Sequence, residues 1–275
     1  MSTDEMRETW QQESHAELFD VWAELGVKHL GQMYEMFNEI GLLLEYKDDI
    51  AGTEFVEIGC ATGELHRYLL NYHPEYAYTG YDISVAALDR AKAKYPEGTF
   101  KRVDPDLTDV EPKPAVIFSR DVVIHQVDPF GFLRRLVGLA SEATFLRLRT
   151  RDEGSTELDP DISCQFVYGK WVPYMILNVD EMIGIIRDVL PHCGISIVKN
   201  YMILGGQVNR FVPKACYYEE TGTAETAVCI INNENSRLYD NVQMSHQTES
   251  QPAFKKSLLY RAPRYLRRKL LGNHT

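Results

Sequence analysis

From residue 54 onward, short apolar runs alternate with helix-spaced stretches, and this alternation constrains the fold more than any other feature of the chain. Strand-like runs fall at 54–58, 78–81, 99–102, 115–118 and 144–148, and helical patterns at 64–72, 85–95, 129–140 and 180–190. Strand–helix–strand repetition of this kind builds a mostly parallel sheet with helices on both faces, because each parallel crossover carries its helix across the sheet. Two further runs, 195–202 and 227–231, are joined without a clear helix. The expectation is therefore an α/β, seven-stranded, doubly wound sheet that finishes in an antiparallel hairpin.

Residues 1–48 precede the first strand. They place Leu18, Trp22 and Leu25, then Met33, Phe37 and Ile40, at helical spacing, which predicts two amphipathic helices forming an N-terminal cap. Residues 149–178 interrupt the alternation as a long loop in the position of a lid, and residues 233–275 read as a polar linker and a basic tail.

The chain has 275 residues, 44% hydrophobic and 25% charged, as ordinary globular proteins have. The longest apolar run, 40–44, is far below the ~20 residues of a membrane span, and the acidic N-terminus carries no secretory pattern, so a cytoplasmic location is expected. Five scattered cysteines without a Cys-x-x-Cys pair signal neither a disulfide framework nor a zinc site. A formal charge of −11 argues against nucleic acid as a partner. Only the C-terminal end is basic: Lys255, Lys256, Arg261, Arg264, Arg267, Arg268 and Lys269 interleave with Leu and Tyr, a pattern for peripheral contact with an anionic membrane surface or for a solvated tail.

The segment Phe55-Val56-Glu57-Ile58-Gly59-Cys60-Ala61-Thr62-Gly63-Glu64-Leu65 joins a strand to a helix through a glycine-punctuated turn, the place where open α/β sheets bind ligands. A dinucleotide fingerprint counted from Gly59 would require glycine where Glu64 stands, and a carboxylate opposes a pyrophosphate. A sulfonium cofactor without phosphate suits an acidic loop better. Asp82, at the end of the second strand, has the acceptor pair needed to bind both hydroxyls of a ribose.

With these residues in place, Glu57-Ile58-Gly59-Cys60-Ala61-Thr62-Gly63 resembles the acidic-x-Gly-x-Gly-x-Gly loop of the class I, Rossmann-like methyltransferases, with Ala61 where that family usually has glycine. Tyr81-Asp82-Ile83-Ser84 and the following Leu88, Arg90, Ala91 and Tyr95-Pro96 are similar to its second motif. The resemblance covers residues 50–150 and implies S-adenosyl-L-methionine as cofactor. It implies a cofactor site of Glu57, Gly59, Cys60, Ala61, Gly63, Asp82, Ile83, Asp104 and Arg120, with Glu57 and Gly59 at the methionine end and Asp104 at the adenine amino group.

Ser119-Arg120-Asp121-Val122-Val123-Ile124-His125-Gln126 looks like the family segment that lines the methyl-transfer site. His125 is the general-base candidate there, and it equally fits a histidine packed at a helix start. In the 149–178 lid, Tyr168, Trp171 and Tyr174 are candidates to wall an acceptor, or to anchor the loop to the core. Asp121 and Asp152 are also substrate candidates; they follow strands where some O-methyltransferases of this fold hold a divalent metal, but no third ligand is identifiable and no metal is expected. O-methylation of a small molecule or saccharide fits these residues best. N-methylation, action on a protein and non-catalytic cofactor binding are the alternatives.

Overall fold

The computed structural model describes residues 8–17, 37–110, 113–217 and 221–246. Leu18, Trp22, Leu25 and Met33 of the expected N-terminal helices, and the whole basic C-terminal stretch, lie outside them. Residues 8–17 are largely helical.

The main sheet is built from β1 (Glu54–Ile58), β2 (Ala77–Asp82), β3 (Thr99–Arg102), β4 (Val116–Arg120), β5 (Ala143–Arg151), β8 (Leu177–Asn178), β9 (Gly194–Tyr201), β11 (Ala224–Ile231) and β12 (Val242–His246). Its order is β12-β9-β11-β5-β4-β1-β2-β3, with β8 paired to β5 off this path. Strands β3, β2, β1, β4 and β5 are parallel, while β11 is antiparallel to both β5 and β9. The expected terminal hairpin is present, with a register the pattern did not contain. β9 stands one strand-width away from β5, and β11 returns to fill the gap.

Among the described residues, α1 (Asn38–Tyr46), α2 (Glu64–Tyr72), α3 (Val85–Lys94), α4 (Pro129–Leu139) and α5 (Val179–Val189) cover the sheet. The two-residue period of β1 divides the core between the faces. Phe55 points into a cluster with Leu42 of α1, Leu69 of α2 and Leu88 of α3, whereas Val56 and Ile58 join one with Leu133 of α4 and Met182 of α5. Helix starts follow local chemistry. The Ser84 hydroxyl accepts from Ala87 N at 3.2 Å, Asp128 caps α4 ahead of Pro129, and Asn178 caps α5.

Two segments differ from the sequence reading. Residues 149–178 are not an irregular loop: β5 extends to Arg151, and β6 (Cys164–Val167) and β7 (Lys170–Pro173) form a hairpin joined by β10 (Arg210–Phe211) into a second, three-stranded antiparallel sheet. Its two-residue turn is Tyr168-Gly169, with φ of 50° and 78°, as a primed hairpin turn requires. The polar stretch after residue 232 is anchored. Asn233 Nδ2 donates to Asp49 O at 2.8 Å, Ser236 Oγ donates to Asp49 Oδ2 at 2.9 Å, and Leu238 is fully buried. No helix among the described residues is long and apolar enough to cross a membrane.

Candidate active site

Register decides where the site forms. Ile58 of β1 pairs with Tyr81 of β2 on one side and with Ser119 of β4 on the other. The chain therefore leaves these strands at one level, with Gly59, Asp82 and Arg120 together at the carboxyl edge. β1 is the strand at which the winding reverses, and a crevice opens there. A cavity of about 340 Å³ fills that crevice.

The loop after β1 is held open by left-handed backbone. Gly59 has φ +84°, and a Cβ there would lie 2.4 Å from Val122 Cγ2, so glycine is required both for the turn and for the close approach to the segment after β4. Gly63 has φ +82° and starts α2. Ala61 also takes a left-handed conformation, φ 46°, at the position where the resembling loops carry glycine.

Asp82 organises this loop. Its Oδ2 accepts from Ala61 N and its Oδ1 from Ser84 N, both at 2.8 Å. Burial raises its pKa, and these backbone hydrogen bonds work against that rise. With Ile83 N a third backbone donor toward the carboxylate, its two oxygens still have acceptor capacity left between them. Asp82, Ile83, Gly59 and Ala61 all line the cavity, as do Val103 and Pro105 beside Asp104. Asp104 itself is exposed, and its Oδ1 accepts from Asp106 N at 2.7 Å.

Other expected cofactor residues sit beneath the wall instead of on it. Glu57 is buried, accepts from the Tyr78 hydroxyl at 2.5 Å, and burial pushes its carboxyl up to about 7. Cys60 is buried among apolar residues, with its thiol pushed well up by burial. Glu64 accepts from the Tyr95 hydroxyl at 2.9 Å and pairs with Arg67 and Lys94, so its charge is neutralised beside α2. Its opposition to a pyrophosphate is thus not what selects the ligand; the shape of the loop and Asp82 carry the argument.

The acceptor side is walled by elements distant in sequence. His125 closes the 3-10 turn Val123–His125, and its Nδ1 lies 2.7 Å from Pro173 O at the end of β7. A carbonyl can only accept, so Nδ1 carries the proton and Nε2 the lone pair. Burial lowers the pKa of His125 to about 4, which keeps the ring neutral. Tyr168 reaches the same cavity from the β6–β7 turn, with Gln165 and Val167. Trp10 and His15, from residues 8–17, complete the wall: Trp10 lies 4.6 Å from His125 and 5.2 Å from His15 between ring centres. The sequence pattern did not single these two out, since nothing local in a polar helical stretch announces which strand end it covers.

Arg120 and Asp121 line the cavity but are engaged from behind. Arg120 pairs with buried Glu39 at 2.8 Å, and Asp121, with φ 58°, is clasped by Arg147 and by Arg149 at 2.8 Å. These guanidinium groups hold the Asp121 carboxyl well below the usual carboxylate range despite its burial. Asp152 pairs with Lys199 and accepts from the Tyr201 hydroxyl, away from the cavity. Trp171 stacks on Phe211 on the outer face of the small sheet, and Tyr174 is buried under Arg210, 4.1 Å from its ring centre. The structure therefore brings Gly59, Ala61, Asp82, Ile83, Arg120, Asp121, His125 and Tyr168 to one cavity, and leaves Asp152, Trp171 and Tyr174 outside it. Among the described residues no group of three His, Cys, Asp or Glu side chains could hold a metal ion.

Residues 56–146 match a family model described as a methyltransferase domain. No curated protein sequence matches the chain. Among solved structures, phosphoethanolamine N-methyltransferase 2 of Haemonchus contortus, in complex with S-adenosyl-L-methionine, superposes with a TM-score of 0.54 at 13% identity, over 85% of this chain and 60% of that one. An S-adenosylmethionine-dependent methyltransferase of Clostridium acetobutylicum gives 0.51 at 11% identity, over 78% and 99%. Magnesium protoporphyrin IX methyltransferase of Synechocystis, with S-adenosylhomocysteine bound, gives 0.50 at 15%, over 84% and 100%. At these identities the likeness is one of fold. The matched family model spans the strands, glycine turn and acid that shape the cavity, so the segment most similar to a methyltransferase domain, residues 56–146, is the one that builds this site.

Proposed function

We propose that this chain is an O-methyltransferase that takes a small-molecule or saccharide acceptor. The observation that carries the reading is the cavity itself: Asp82 and the glycine turn meet it from one side and His125, with its tautomer fixed by Pro173, from the other.

The residues present fit S-adenosylmethionine. Asp82 retains acceptor capacity for ribose hydroxyls, Gly59 and Ala61 present backbone instead of bulk, and Val103 and Pro105 offer an apolar slot for a flat base. When bound, the cofactor supplies a sulfonium methyl carbon as electrophile. The protein holds the acceptor oxygen in line with that carbon and removes its proton. His125 Nε2 is the group placed to accept it. A hydroxyl that has gained a methyl group is an oxonium and a far stronger acid than imidazolium, so a histidine of pKa about 4 still suffices as proton acceptor.

Calorimetry with S-adenosylmethionine on wild type and Asp82→Ala, followed by acceptor screening for S-adenosylhomocysteine release, tests the reading. Binding by wild type, much weaker binding by the variant, and turnover of a hydroxylated acceptor are expected. Failure of wild type to bind overturns it.

A further inference from the structure

Resting on the methyltransferase reading, we infer that the acceptor is an uncharged, hydroxyl-bearing ring, and that Trp10 orients it with its indole N–H. Two observations lead there. First, the acceptor half of the cavity has no uncompensated charge among its described residues. Its walls are Trp10, His15, Gln126, Gln165, Tyr168 and His125, and burial lowers both histidines to about 4, so they are neutral near pH 7. The two ionic groups that reach the cavity beside them are matched within the protein, Arg120 by Glu39 and Asp121 by Arg147 and Arg149. A carboxylate, phosphate or ammonium on the acceptor would lose its hydration and gain no counter-ion from this wall.

Second, the indole Nε1 of Trp10 is buried and has no hydrogen-bond partner among the described residues, while the ring lies against His125, the proposed proton acceptor. Buried donors are almost always satisfied, and an orphan on a cavity wall marks where a ligand acceptor atom belongs. A hydroxyl oxygen at the edges of the two contacting rings receives the Trp10 N–H and gives its own proton to His125 Nε2. Flat contacts from Trp10 and Tyr168 suit a ring, and both a phenol and a pyranose meet this description. The N-terminal residues 8–17 are thereby part of the acceptor site.

The test uses the full chain saturated with S-adenosylhomocysteine and two matched probe sets, with affinities read by saturation-transfer difference NMR at pH 7. The phenol arm compares 4-hydroxybenzyl alcohol with 4-hydroxybenzoate and tyramine; the pyranose arm compares methyl α-D-glucopyranoside with glucuronate and glucosamine. In at least one arm the uncharged member should bind about tenfold or more tighter than both charged ones, and the arm in which it does identifies the ring class. Trp10→Phe, which keeps the ring and loses the donor, should weaken that probe about fivefold or more while S-adenosylhomocysteine affinity stays the same. Equal or tighter binding of a charged member, binding of neither uncharged member, or an unaffected Trp10→Phe variant overturns the inference with the methyltransferase reading intact. Absence of S-adenosylhomocysteine binding by wild type overturns that reading itself.

Discussion

His125 Nδ1 lies 2.7 Å from the carbonyl oxygen of Pro173, a contact between the turn after β4 and the end of β7 across 48 residues of chain. It fixes which ring nitrogen is protonated. His125→Gln should therefore lower turnover by about 10²-fold, the usual worth of a positioned general base, with cofactor affinity unchanged. Steady-state kinetics beside calorimetry checks this, and near-normal turnover sinks the base assignment.

Asp82 joins the loop after β1 to the start of α3 through hydrogen bonds to Ala61 N and Ser84 N. Asp82→Asn keeps the size but replaces one acceptor oxygen by a donor. Hydrogen bonds to a charged group are worth about 1.5–3 kcal/mol each, so S-adenosylmethionine should bind tenfold or more weakly. Titration calorimetry reads the change; an unaltered Kd removes Asp82 from the cofactor site.

Ala61 holds φ 46°. Left-handed backbone costs a residue with a Cβ roughly 1–2 kcal/mol, and glycine's extra freedom in the unfolded chain returns about half of that. Ala61→Gly should be stabilising by about 0.5–1 kcal/mol in urea denaturation and leave cofactor binding intact. A clear loss of stability contradicts it.

Glu39 is 1% exposed and faces Arg120 at 2.8 Å and Arg147 at 3.8 Å. Glu39→Gln leaves two largely buried guanidinium groups with less counter-charge, and breaking such a pair typically costs about 3–5 kcal/mol. Thermal and urea unfolding should both shift strongly; a change below about 1 kcal/mol would mean that solvent screens the pair.

Burial lowers His15 and His125 from 6.5 to about 4. Between those pH values the unfolded chain binds protons that the folded one refuses, so the stability tied to neutral histidines is complete above pH 6.5 and is lost as pH falls toward 4. Each contributes on the order of 3 kcal/mol at most. Glu57, raised to about 7, acts in the opposite sense, its share being lost as pH rises from 4.5 through 7. The melting temperature of His125→Gln should fall less than that of wild type between pH 6.5 and 4.5. Parallel curves for the two proteins would disprove the burial argument.

The sheet was legible because period-2 and period-3.6 patterns are local: β1, α2 and β3 have the bounds expected from residues 54–58, 64–72 and 99–102. The turn at Gly59 and Gly63 and the Ser84 cap were legible for the same reason, since each depends on the conformational freedom or hydrogen bonding of one residue and its neighbours. The hairpin β6–β7 was within reach, its signal being Tyr168-Gly169 between β-prone residues.

Local sequence pattern was enough for the mostly parallel α/β sheet, its glycine turn, and an acid at the end of β2. Tertiary packing alone brings β11 between β5 and β9, sets Glu64 against Tyr95, Arg67 and Lys94, and lays Trp10, with His15 beside it, on His125. Those relations join residues more than 25 positions apart in most cases, and such pairings follow from the packing of the completed sheet and its covering segments, which no local periodicity encodes.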